Sequence, residues 1–335
     1  MKTRTTLWKT IALIAFLALL LAVPKIARND YQVRILNMTG LYILLSLGLN
    51  IAQGFCGQIN LAIGAFWAIG AYTAALLNVN FKWPFWLTLP AAMVVAALVA
   101  AVVALPSLKV RSHYLAIVTL GLGEVINIIL VNEEQITRGA MGIPNIKRPS
   151  FFGIPINSEQ RYFYLVLAFV ILGYLVARQI TRHRFGRAFR AVRDDYVAAK
   201  AMGVNTGFYQ ILAITISGVY AGVAGVLFAH LNTYISPDIF EFRSTLFVLT
   251  MTLVGGMGNL LGSVVGGVLV ILQEVLRTFR DWQLVFYGLA VVLVVLFFPG
   301  GAVGIARRWR ERQGARRARE EEANTVANPP SEEAR

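Results

Sequence analysis

The sequence predicts an all-α, polytopic membrane protein, and its composition is the first reason. Of its 335 residues, 57% are apolar, only 14% are charged, and the mean hydropathy is +0.64. Soluble chains carry roughly 25% charged residues. The apolar residues gather in runs of about 17 to 23, the length that an α-helix needs to cross the hydrocarbon core of a bilayer. A soluble helical core would need polar faces at helical spacing, and these runs are apolar all round.

About ten such runs divide the chain. We predict transmembrane or half-membrane helices over residues 8–24, 35–53, 60–78, 84–105, 113–131, 161–177, 209–231, 244–256, 259–276 and 282–298. The eighth run is short for a full crossing, which predicts half of a broken helix or part of a re-entrant hairpin. The first run follows Lys2, Arg4 and Lys9, as a secretory signal would. No small-residue cleavage site follows it cleanly, so we interpret it as an uncleaved span.

The positive charges predict the orientation of these spans. With the N-terminus inside, segments 1–9, 106–112, 178–208 and 299–335 are cytoplasmic, and they hold 3, 2, 7 and 8 of the 31 lysines and arginines. Both termini are therefore predicted to be cytoplasmic. A net charge of +14 would suggest nucleic acid in a soluble protein. Here the arginines flank membrane spans, where topology and anionic headgroups explain them.

The domain organisation follows from the same pattern. We predict one transmembrane domain over residues 1–306, with the cytoplasmic segment 178–208 inside it. Residues 307–335 are dense in arginine and glutamate and contain two prolines, which predicts a charged, disordered cytoplasmic tail.

Catalytic and metal-binding patterns do not stand out in this sequence. Cys56 is the single cysteine, which excludes an intrachain disulfide and a cysteine-type zinc or iron–sulfur site. The three histidines are scattered, and such residues are more often on a polar surface than metal ligands. Neither a catalytic triad, nor paired carboxylates, nor a phosphate-binding glycine loop with its lysine is present. We therefore predict a chain that is not an enzyme and binds no cofactor, so any ATP that drives it is bound elsewhere.

The cytoplasmic segment 178–208 is more than an ordinary loop. Residues 187–202 are compatible with a helix, and Gly203 is placed as its C-terminal cap. A helix with a small, flat face can lie in the groove of a partner, whereas a solvated basic loop would only enforce topology. Two acidic residues precede a patch of small ones: Asp194, Asp195, Ala198, Ala199 and Ala201.

Two glycine breaks interrupt the spans near the start and near the end of the chain. The glycines are Gly54 and Gly57 in the first break and Gly255 and Gly258 in the second. Both read G-x-x-G followed by an amide, which is Gln58 in the first and Asn259 in the second, and this similarity suggests a weak internal repeat. Helix ends at such breaks can face an anionic group in a transport path. The alternative is a pair of tight turns without substrate contact.

Ionisable groups are scarce within the spans. Glu124 is the one carboxylate placed mid-span, with Asn127 one turn later on the same face. An intramembrane acid is a functional candidate by default. The alternatives are that Glu124 is neutral or bonds to another helix through Asn50 or Gln53. The candidates for lining a translocation path are Asn50, Gln58, Asn60, Glu124, Asn127 and Asn259.

Four stretches in order resemble the permeases of branched-chain amino-acid ATP-binding-cassette importers. They are LNMTGLYILLSLGLNIAQGFCGQINLAIGAFWAIGAYTAALL (36–77), RSHYLAIVTLGLGEVINIIL with TRGAMGIPNI (111–130 and 137–146), FGRAFRAVRDDYVAAKAMGVN (185–205) and LVGGMGNLLGSVVGGVLV through FFPGGAVG (253–304). The resemblance runs over roughly residues 35–305. The TRGAMGI segment and the length resemble the M-type (LivM-like) permease rather than the shorter H-type. Asn60 stands where this family often has serine, and Gly300 where it often has arginine.

The resemblance implies an importer subunit that moves leucine, isoleucine, valine or a close relative into the cytoplasm across the inner (plasma) membrane. It implies a second, H-type permease, two ATPase subunits that carry ATP and magnesium, and a periplasmic or lipid-anchored substrate-binding protein. Residues 185–205 match the family's helix that docks on the ATPase. The coupling role then maps onto Arg193, Asp194, Asp195, Ala198, Ala199 and Gly203.

Two other classes remain as alternatives. An ion-coupled secondary transporter of small amino acids or amides would use an intramembrane carboxylate such as Glu124, but it does not need the docking helix. An integral-membrane enzyme would show a cluster of acids or histidines at one membrane face, and this sequence shows none.

Overall fold

The structure is a computed structural model that describes residues 29–108, 113–151 and 154–276, together with the single residues Pro24, Gly288 and Val292. The predicted spans 8–24 and 282–298 and the predicted tail 307–335 lie outside the described residues.

Helices make up almost all of the described chain. In chain order they are α1 (Asp30–Leu49), α2 (Ile63–Phe81), α3 (Phe85–Ala104), α4 (His113–Asn132), α5 (Glu134–Thr137), α6 (Glu159–Arg182), α7 (Arg184–Asp194), α8 (Tyr196–Ala201), α9 (Thr206–Asn232), α10 (Phe242–Gly255), α11 (Leu260–Gly266) and α12 (Val268–Leu276). A π-helical segment, Asn50–Phe55, continues α1. Short 3₁₀ turns occupy Leu105–Leu108, Gly139–Met141 and Pro237–Phe240. Two-residue strands, β1 (Ser150–Phe151) and β2 (Ile154–Pro155), pair antiparallel.

The predicted all-α, polytopic fold is confirmed. Six helical spans in the described ranges are long and apolar enough to cross a membrane, each within a few residues of a predicted run. The eighth and ninth predicted runs form a broken pair, Pro237–Gly255 and Leu260–Leu272, bent by 118°. The bend falls at Gly256 and Gly258, whose φ angles of +121° and +75° suit glycine. This broken pair agrees with the prediction that the eighth run is half of a broken or re-entrant element.

Helix α9 is central, and small residues bring its neighbours close. A Cβ built on Gly218 would lie 2.3 Å from Ala100 Cβ, and one on Gly222 would lie 2.8 Å from Ala96 Cβ. On the α2 side, a Cβ on Gly225 would lie 2.4 Å from the Trp67 carbonyl oxygen. Small residues let helix backbones approach closely where lipid gives no hydrophobic drive for association. These contacts fix α2 and α3 against α9.

The two ends of the helical bundle differ in their contents. One end holds α7, α8, the start of α9 and the turn Leu105–Leu108. The turn lies against the start of α9, because a Cβ on Gly207 would lie 2.6 Å from Leu108 Cδ2. We call this end the α7 end. The other, the loop end, holds residues 133–151 and 154–158 and the start of α1, where Arg34 donates to Asn232. The described parts of the predicted cytoplasmic segments 106–112 and 178–208 thus share the α7 end, as their predicted orientation requires.

Candidate functional site

The two glycine breaks meet at the α7 end of the bundle, and one side chain joins them. Asn50 is completely buried at the start of the π-helical segment. Its Nδ2 donates to the Asn259 carbonyl oxygen at 2.9 Å and to Ser263 Oγ at 3.0 Å. Its Oδ1 accepts from the Gly258 amide at 2.8 Å. A single amide therefore ties the first break to the second.

Gly54 and Gly255 are required by close approach. A Cβ on Gly54 would lie 1.9 Å from Asn50 Oδ1 and 2.4 Å from the Gly258 nitrogen. A Cβ on Gly255 would lie 1.9 Å from the Gly262 carbonyl oxygen. Each glycine lets one backbone segment pass directly against another, so neither Gly54 nor Gly255 tolerates a side chain in this arrangement.

Arg193 lies between the two breaks. Gly57 and Gly258 have nearly equal left-handed φ angles of +73° and +75°. A Cβ on Gly57 would lie 2.8 Å from Arg193 Cγ, and one on Gly258 would lie 3.1 Å from Arg193 Nη1. The same Nη1 donates to the Gly54 carbonyl oxygen at 2.8 Å. Arg193, to which the resemblance assigns a coupling role, therefore contacts the breaks of its own chain.

Asp194 holds the guanidinium group in place. Its Oδ1 accepts from Arg193 Nη2 at 2.9 Å and from Nε at 3.1 Å. The two side chains are 38% and 65% exposed, so this ion pair contributes little stability. The guanidinium group therefore lies between the Asp194 carboxylate and the Gly54 carbonyl oxygen.

The similarity of the two breaks extends to their capping amides. Asn60 Oδ1 accepts from the Ala62 amide, and Asn259 Oδ1 accepts from the Leu261 amide, each at 3.0 Å and each two residues later. Asn60, rather than the predicted Gln58, is thus the counterpart of Asn259. Gln58 instead donates to the Cys56 carbonyl oxygen at 3.3 Å.

The chain between the first break and α2 is not helical, although residues 60–62 were predicted to belong to a helix. Its polar groups find partners on other helices. The Leu61 amide donates to Thr119 Oγ1 at 3.1 Å, and Asn60 Nδ2 donates to Ser217 Oγ at 3.5 Å. The Gly64 amide, in the first turn of α2, donates to Thr245 Oγ1 at 3.1 Å. Irregular backbone is tolerated at membrane depth only with such partners. The sequence analysis did not single out these three hydroxyl residues, Thr119, Ser217 and Thr245. The one indication available in the sequence was that each is a polar residue within an otherwise apolar run.

The predicted single helix over 187–202 is wrong. Asp195 separates α7 from α8 in an extended conformation, with φ −153° and ψ 108°. Its Oδ1 accepts from the Val197 amide at 2.8 Å and the Ala198 amide at 3.0 Å. An aspartate at this position satisfies the free amides of a new helix, so a second helix begins here.

Gly203 ends α8 as predicted. It has φ +82°, its amide donates to the Lys200 carbonyl oxygen, and the Val204 amide donates to the Ala199 carbonyl oxygen. This pair of bonds with a left-handed glycine is a Schellman motif.

The exposed face of α8 and its C-terminal cap differs from the predicted one. Ala199 was predicted to lie on a partner-facing patch, but it is only 5% exposed and packs inside the chain. Val197 and Met202 are 64% and 84% exposed, and Ala198 is exposed beside them. We call Val197, Ala198 and Met202 the α8 patch.

Glu124 and Asn127 lie on α4, outside the hydrogen bonds of the breaks. Glu124 is half-buried and has no hydrogen-bond or ion-pair partner among the described residues. The expected alternative of a bond to Asn50 or Gln53 is wrong, because no hydrogen bond among the described residues joins Glu124 to either amide, and Asn50 bonds across the breaks instead. Asn127 Oδ1 is buried without a described partner. The structure therefore separates the predicted path residues into two groups.

The loop end contains a buried histidine that sequence reasoning expected at a surface. His230 is completely buried near the end of α9. Its Nδ1 lies 2.6 Å from the Lys147 carbonyl oxygen, and its Nε2 lies 3.3 Å from Thr88 Oγ1. The Lys147 amide donates to Asn78 Oδ1 at 2.8 Å. These side chains hold the loop against α2, α3 and α9.

An ion pair fixes the other side of the loop. Arg148 Nη2 lies 2.6 Å from Glu159 Oε1, with side chains 22% and 13% exposed. Glu159 Oε2 accepts from Asn37 Nδ2 at 3.2 Å, which brings α1 into the group. Arg148 also donates to the Leu231 and Asn157 carbonyl oxygens. The loop is therefore joined to α1, α6 and α9.

Comparison with known proteins gives a consistent result. A family model described as "Branched-chain amino acid transport system / permease component" matches residues 31–297. The chain is 35% identical to the high-affinity branched-chain amino acid transport system permease protein LivM of Salmonella typhimurium, over 90% of this chain and 77% of the relative. The LivM protein of Escherichia coli gives the same identity and coverage. The LivH protein of Salmonella typhimurium is 26% identical, over 78% of this chain and 91% of the relative. No solved structure gives a significant match.

The family match covers most of the chain, including the glycine breaks, α7 and α8. The identity is higher with the LivM proteins than with LivH, which agrees with the M-type resemblance. Together with the apolar helices of the described ranges, these relatives identify a multi-pass membrane protein. The chain belongs to the permease family of branched-chain amino acid transport systems.

Proposed function

We propose that the chain is the M-type permease subunit of an ATP-driven importer that brings leucine, isoleucine, valine or a close chemical relative into the cytoplasm. The observation that carries this proposal is the 35% identity with LivM proteins over 90% of the chain. The names of those relatives specify high-affinity branched-chain amino acid transport. The membrane would be the inner (plasma) membrane, with α7 and α8 on its cytoplasmic side.

The proposed assembly has several other chains. The second permease is of the H type, since LivH of the same organism as a LivM relative also matches this chain. Two ATPase subunits bind ATP and magnesium and hydrolyse the nucleotide, so this chain binds no cofactor and is not an enzyme. A periplasmic or lipid-anchored protein captures the substrate and docks at the loop end.

The structure supports separate roles for the α8 patch and for Arg193 in coupling ATP hydrolysis to transport. The α8 patch presents exposed apolar side chains at the α7 end, where a partner would cover them. Arg193 contacts both glycine breaks from the adjoining helix. We therefore propose that the patch receives motion from the ATPase and that Arg193 passes it to the breaks. Asp194 orients Arg193, while Asp195, Ala199 and Gly203 set the shape of the α7–α8 unit.

The amides of the breaks are proposed to line the path only in another state. Asn50, Gln58, Asn60 and Asn259 are hydrogen-bonded in this arrangement, and the first three are also buried. When the breaks separate, these bonds would open and the amides would become available to a substrate carboxylate or ammonium group. Glu124 and Asn127 of α4 would contribute from a different helix.

The first test is purification of the tagged chain from its native membrane with its partners identified. We expect a second permease, an ATPase and a binding protein, with ATP-dependent uptake of labelled leucine after reconstitution. Substituting Val197→Asp places a charge in the α8 patch and should reduce recovery of the ATPase by roughly tenfold or more. The matched control is Ile136→Asp, which alters a 58% exposed residue at the loop end and should leave ATPase recovery unchanged.

The opposite result would favour a different class of transporter. If the chain were recovered alone and took up substrate with an ion gradient and without ATP, the importer proposal would be wrong. Loss of that uptake in Glu124→Gln would then identify Glu124 as the coupling residue of a secondary transporter.

A further inference from the structure

The outward faces of the peripheral helices are not alike. On α3 the exposed face is entirely apolar, and so is that of α6 between Arg161 and Arg178. The large apolar members are Leu87, Val94, Val95, Leu98 and Val102 on α3, and Ile171, Leu172, Leu175 and Val176 on α6. Such faces suit contact with lipid tails, which offer no hydrogen bonds.

Helix α4 presents a different outward face. Leu115, Thr119 and Gly123 form its buried side, and Gly123 faces Ala62 beside the first break. The opposite side carries exposed Ile117, Val125 and Ile128, but it is interrupted near mid-helix by Gly121 and Glu124. None of the described residues lies within 4 Å of a Cβ built on Gly121. A small residue and a carboxylate thus lie side by side on a face that the described residues leave open.

A carboxylate at this depth does not suit lipid. Among the six long helices of the described ranges, Glu124 is the one carboxylate that is not at a helix terminus. Ionisable groups within spans normally face the interior of a bundle or a polar partner. Glu124 has no such partner among the described residues. A donor is therefore expected from a segment that packs on this face.

The two predicted spans outside the described residues are poor sources of that donor. Span 8–24 has no polar side chain from Ile11 to Val23, and span 282–298 has none from Gly288 to Phe298. Either would place hydrocarbon against the carboxylate over its central part. A donor at mid-membrane depth is more readily supplied by another chain.

We infer that the outward face of α4, centred on Gly121 and Glu124, packs against a transmembrane helix of the second permease chain, which supplies a hydrogen-bond donor or cation to Glu124. This inference rests on the proposed function, which supplies the partner. Gly121 allows the two backbones to approach closely, as small residues do at helix contacts in lipid. The apolar residues around it form the rest of the contact, and the adjoining buried side of α4 reaches the first glycine break through Gly123.

Gly121→Leu tests the contact without disturbing the fold of the chain itself. The described part of the chain leaves open space around Gly121, and leucine favours a helix more than glycine does, so the variant chain should enter the membrane at the wild-type level. We expect recovery of the second permease with the tagged chain to fall roughly tenfold, equivalent to about 1.4 kcal/mol. The matched control is Ala168→Leu, a small-to-large change on the exposed face of α6, which should leave recovery unchanged.

Photo-cross-linking gives an independent readout in the intact complex. A photoreactive phenylalanine derivative at Val125 should form a product with the second permease, identified by mass spectrometry, whereas the same group at Leu98 on α3 should not. Products with residues 8–24 or 282–298 of this chain, or with lipid alone, would overturn the inference. So would normal recovery of the second permease with Gly121→Leu, and both results would leave the importer proposal intact. A wild-type chain purified without any second permease would instead overturn the proposed function, and this inference with it.

Discussion

The α7 end and the loop end of the bundle are held together by different means. At the α7 end, backbone segments pass directly against each other at Gly54 and Gly255, and Asn50 and Arg193 supply the bonds between them. At the loop end, most of the contacts between segments are made by side chains, namely the Arg148–Glu159 ion pair and buried His230. A backbone pairing between Ile143 and Ile235 adds to them.

This difference in the bonds at the two ends indicates which end of the molecule can move. Left-handed glycines at the breaks have access to conformations that other residues avoid, and only a few bonds join the breaks. The loop end would have to lose an ion pair and several buried hydrogen bonds at once. Hinges are usually a few positions that absorb a change in backbone angles, so motion is expected at the α7 end against a fixed loop end.

The largest effect is expected from Gly54→Ala. The new methyl group would meet Asn50 Oδ1 and the Gly258 nitrogen, one of which is backbone. Overpacking commonly lowers the stability of the fold by about 1–3 kcal/mol. Because a backbone atom cannot move away as a flexible side chain can, we expect a loss of stability at or above the upper limit. We expect uptake to fall below roughly a tenth of wild type, with a lower melting temperature of the purified complex.

Gly123→Ala is the control for that experiment. Its Cβ would make an ordinary contact of 3.4 Å with Ala62 Cα, so the fold and uptake should be retained. Equal uptake by both variants would show that the close approach of the two breaks is not needed for transport.

A smaller and more selective effect is expected from Arg193→Ala. The change removes the donor to the Gly54 carbonyl oxygen and the contact with Gly57 but leaves the α8 patch exposed as before. A coupling free energy of about 1–3 kcal/mol corresponds to a factor of roughly 5 to 150. We therefore expect the amount of substrate moved per ATP hydrolysed to decrease by a factor in that range. The measurement is uptake and ATP hydrolysis in the same proteoliposomes, together with recovery of the ATPase.

Arg187→Ala serves as its control, because Arg187 is exposed on the same helix. If Arg193→Ala kept the wild-type ratio of uptake to ATP hydrolysis, the proposal that Arg193 transmits motion from the ATPase to the breaks would be wrong.

The smallest effect on transport is expected at the loop end, from Arg148→Gln. Glu159 would lose its ion pair while staying largely buried. The cost to stability should lie between the ~1 kcal/mol of a surface pair and the ~3–5 kcal/mol of a buried one. We expect a lower melting temperature with an unchanged ratio of uptake to ATP hydrolysis.

The double variant Arg148→Gln with Glu159→Gln should recover part of that stability, since no uncompensated charge remains. A loss of coupling as large as that of Arg193→Ala would contradict the assignment of motion to the α7 end.

Much of the membrane fold could be predicted from the order of the residues. The apolar runs located the six long helices and the broken pair, because crossing hydrocarbon demands length and apolarity that are visible in the chain itself. Gly203 was predicted as a cap, and the structure shows it in a left-handed conformation that ends α8. The similarity of the two glycine breaks was also visible in the sequence.

Other features depended on contacts between distant residues. Asn50 and Asn259 are more than 200 positions apart, and their bond could not be inferred from local pattern. Arg193 was predicted to have a coupling role from the resemblance, but its bond to the Gly54 carbonyl oxygen could not be predicted, since its surroundings are set by how α7 packs. His230 was expected at a surface and is buried, because the loop backbone and Thr88 lie opposite both ring nitrogens.

The sequence by itself determined that this is a membrane permease, where its helices run and where its backbone breaks. Those properties follow from hydropathy, chain length and the special conformations of glycine, all of which act locally. Only the tertiary structure decided that the two breaks meet, that Arg193 lies between them and that Glu124 faces outward from α4. Such juxtapositions arise from packing between segments far apart in the chain, and no local pattern encodes which faces will meet.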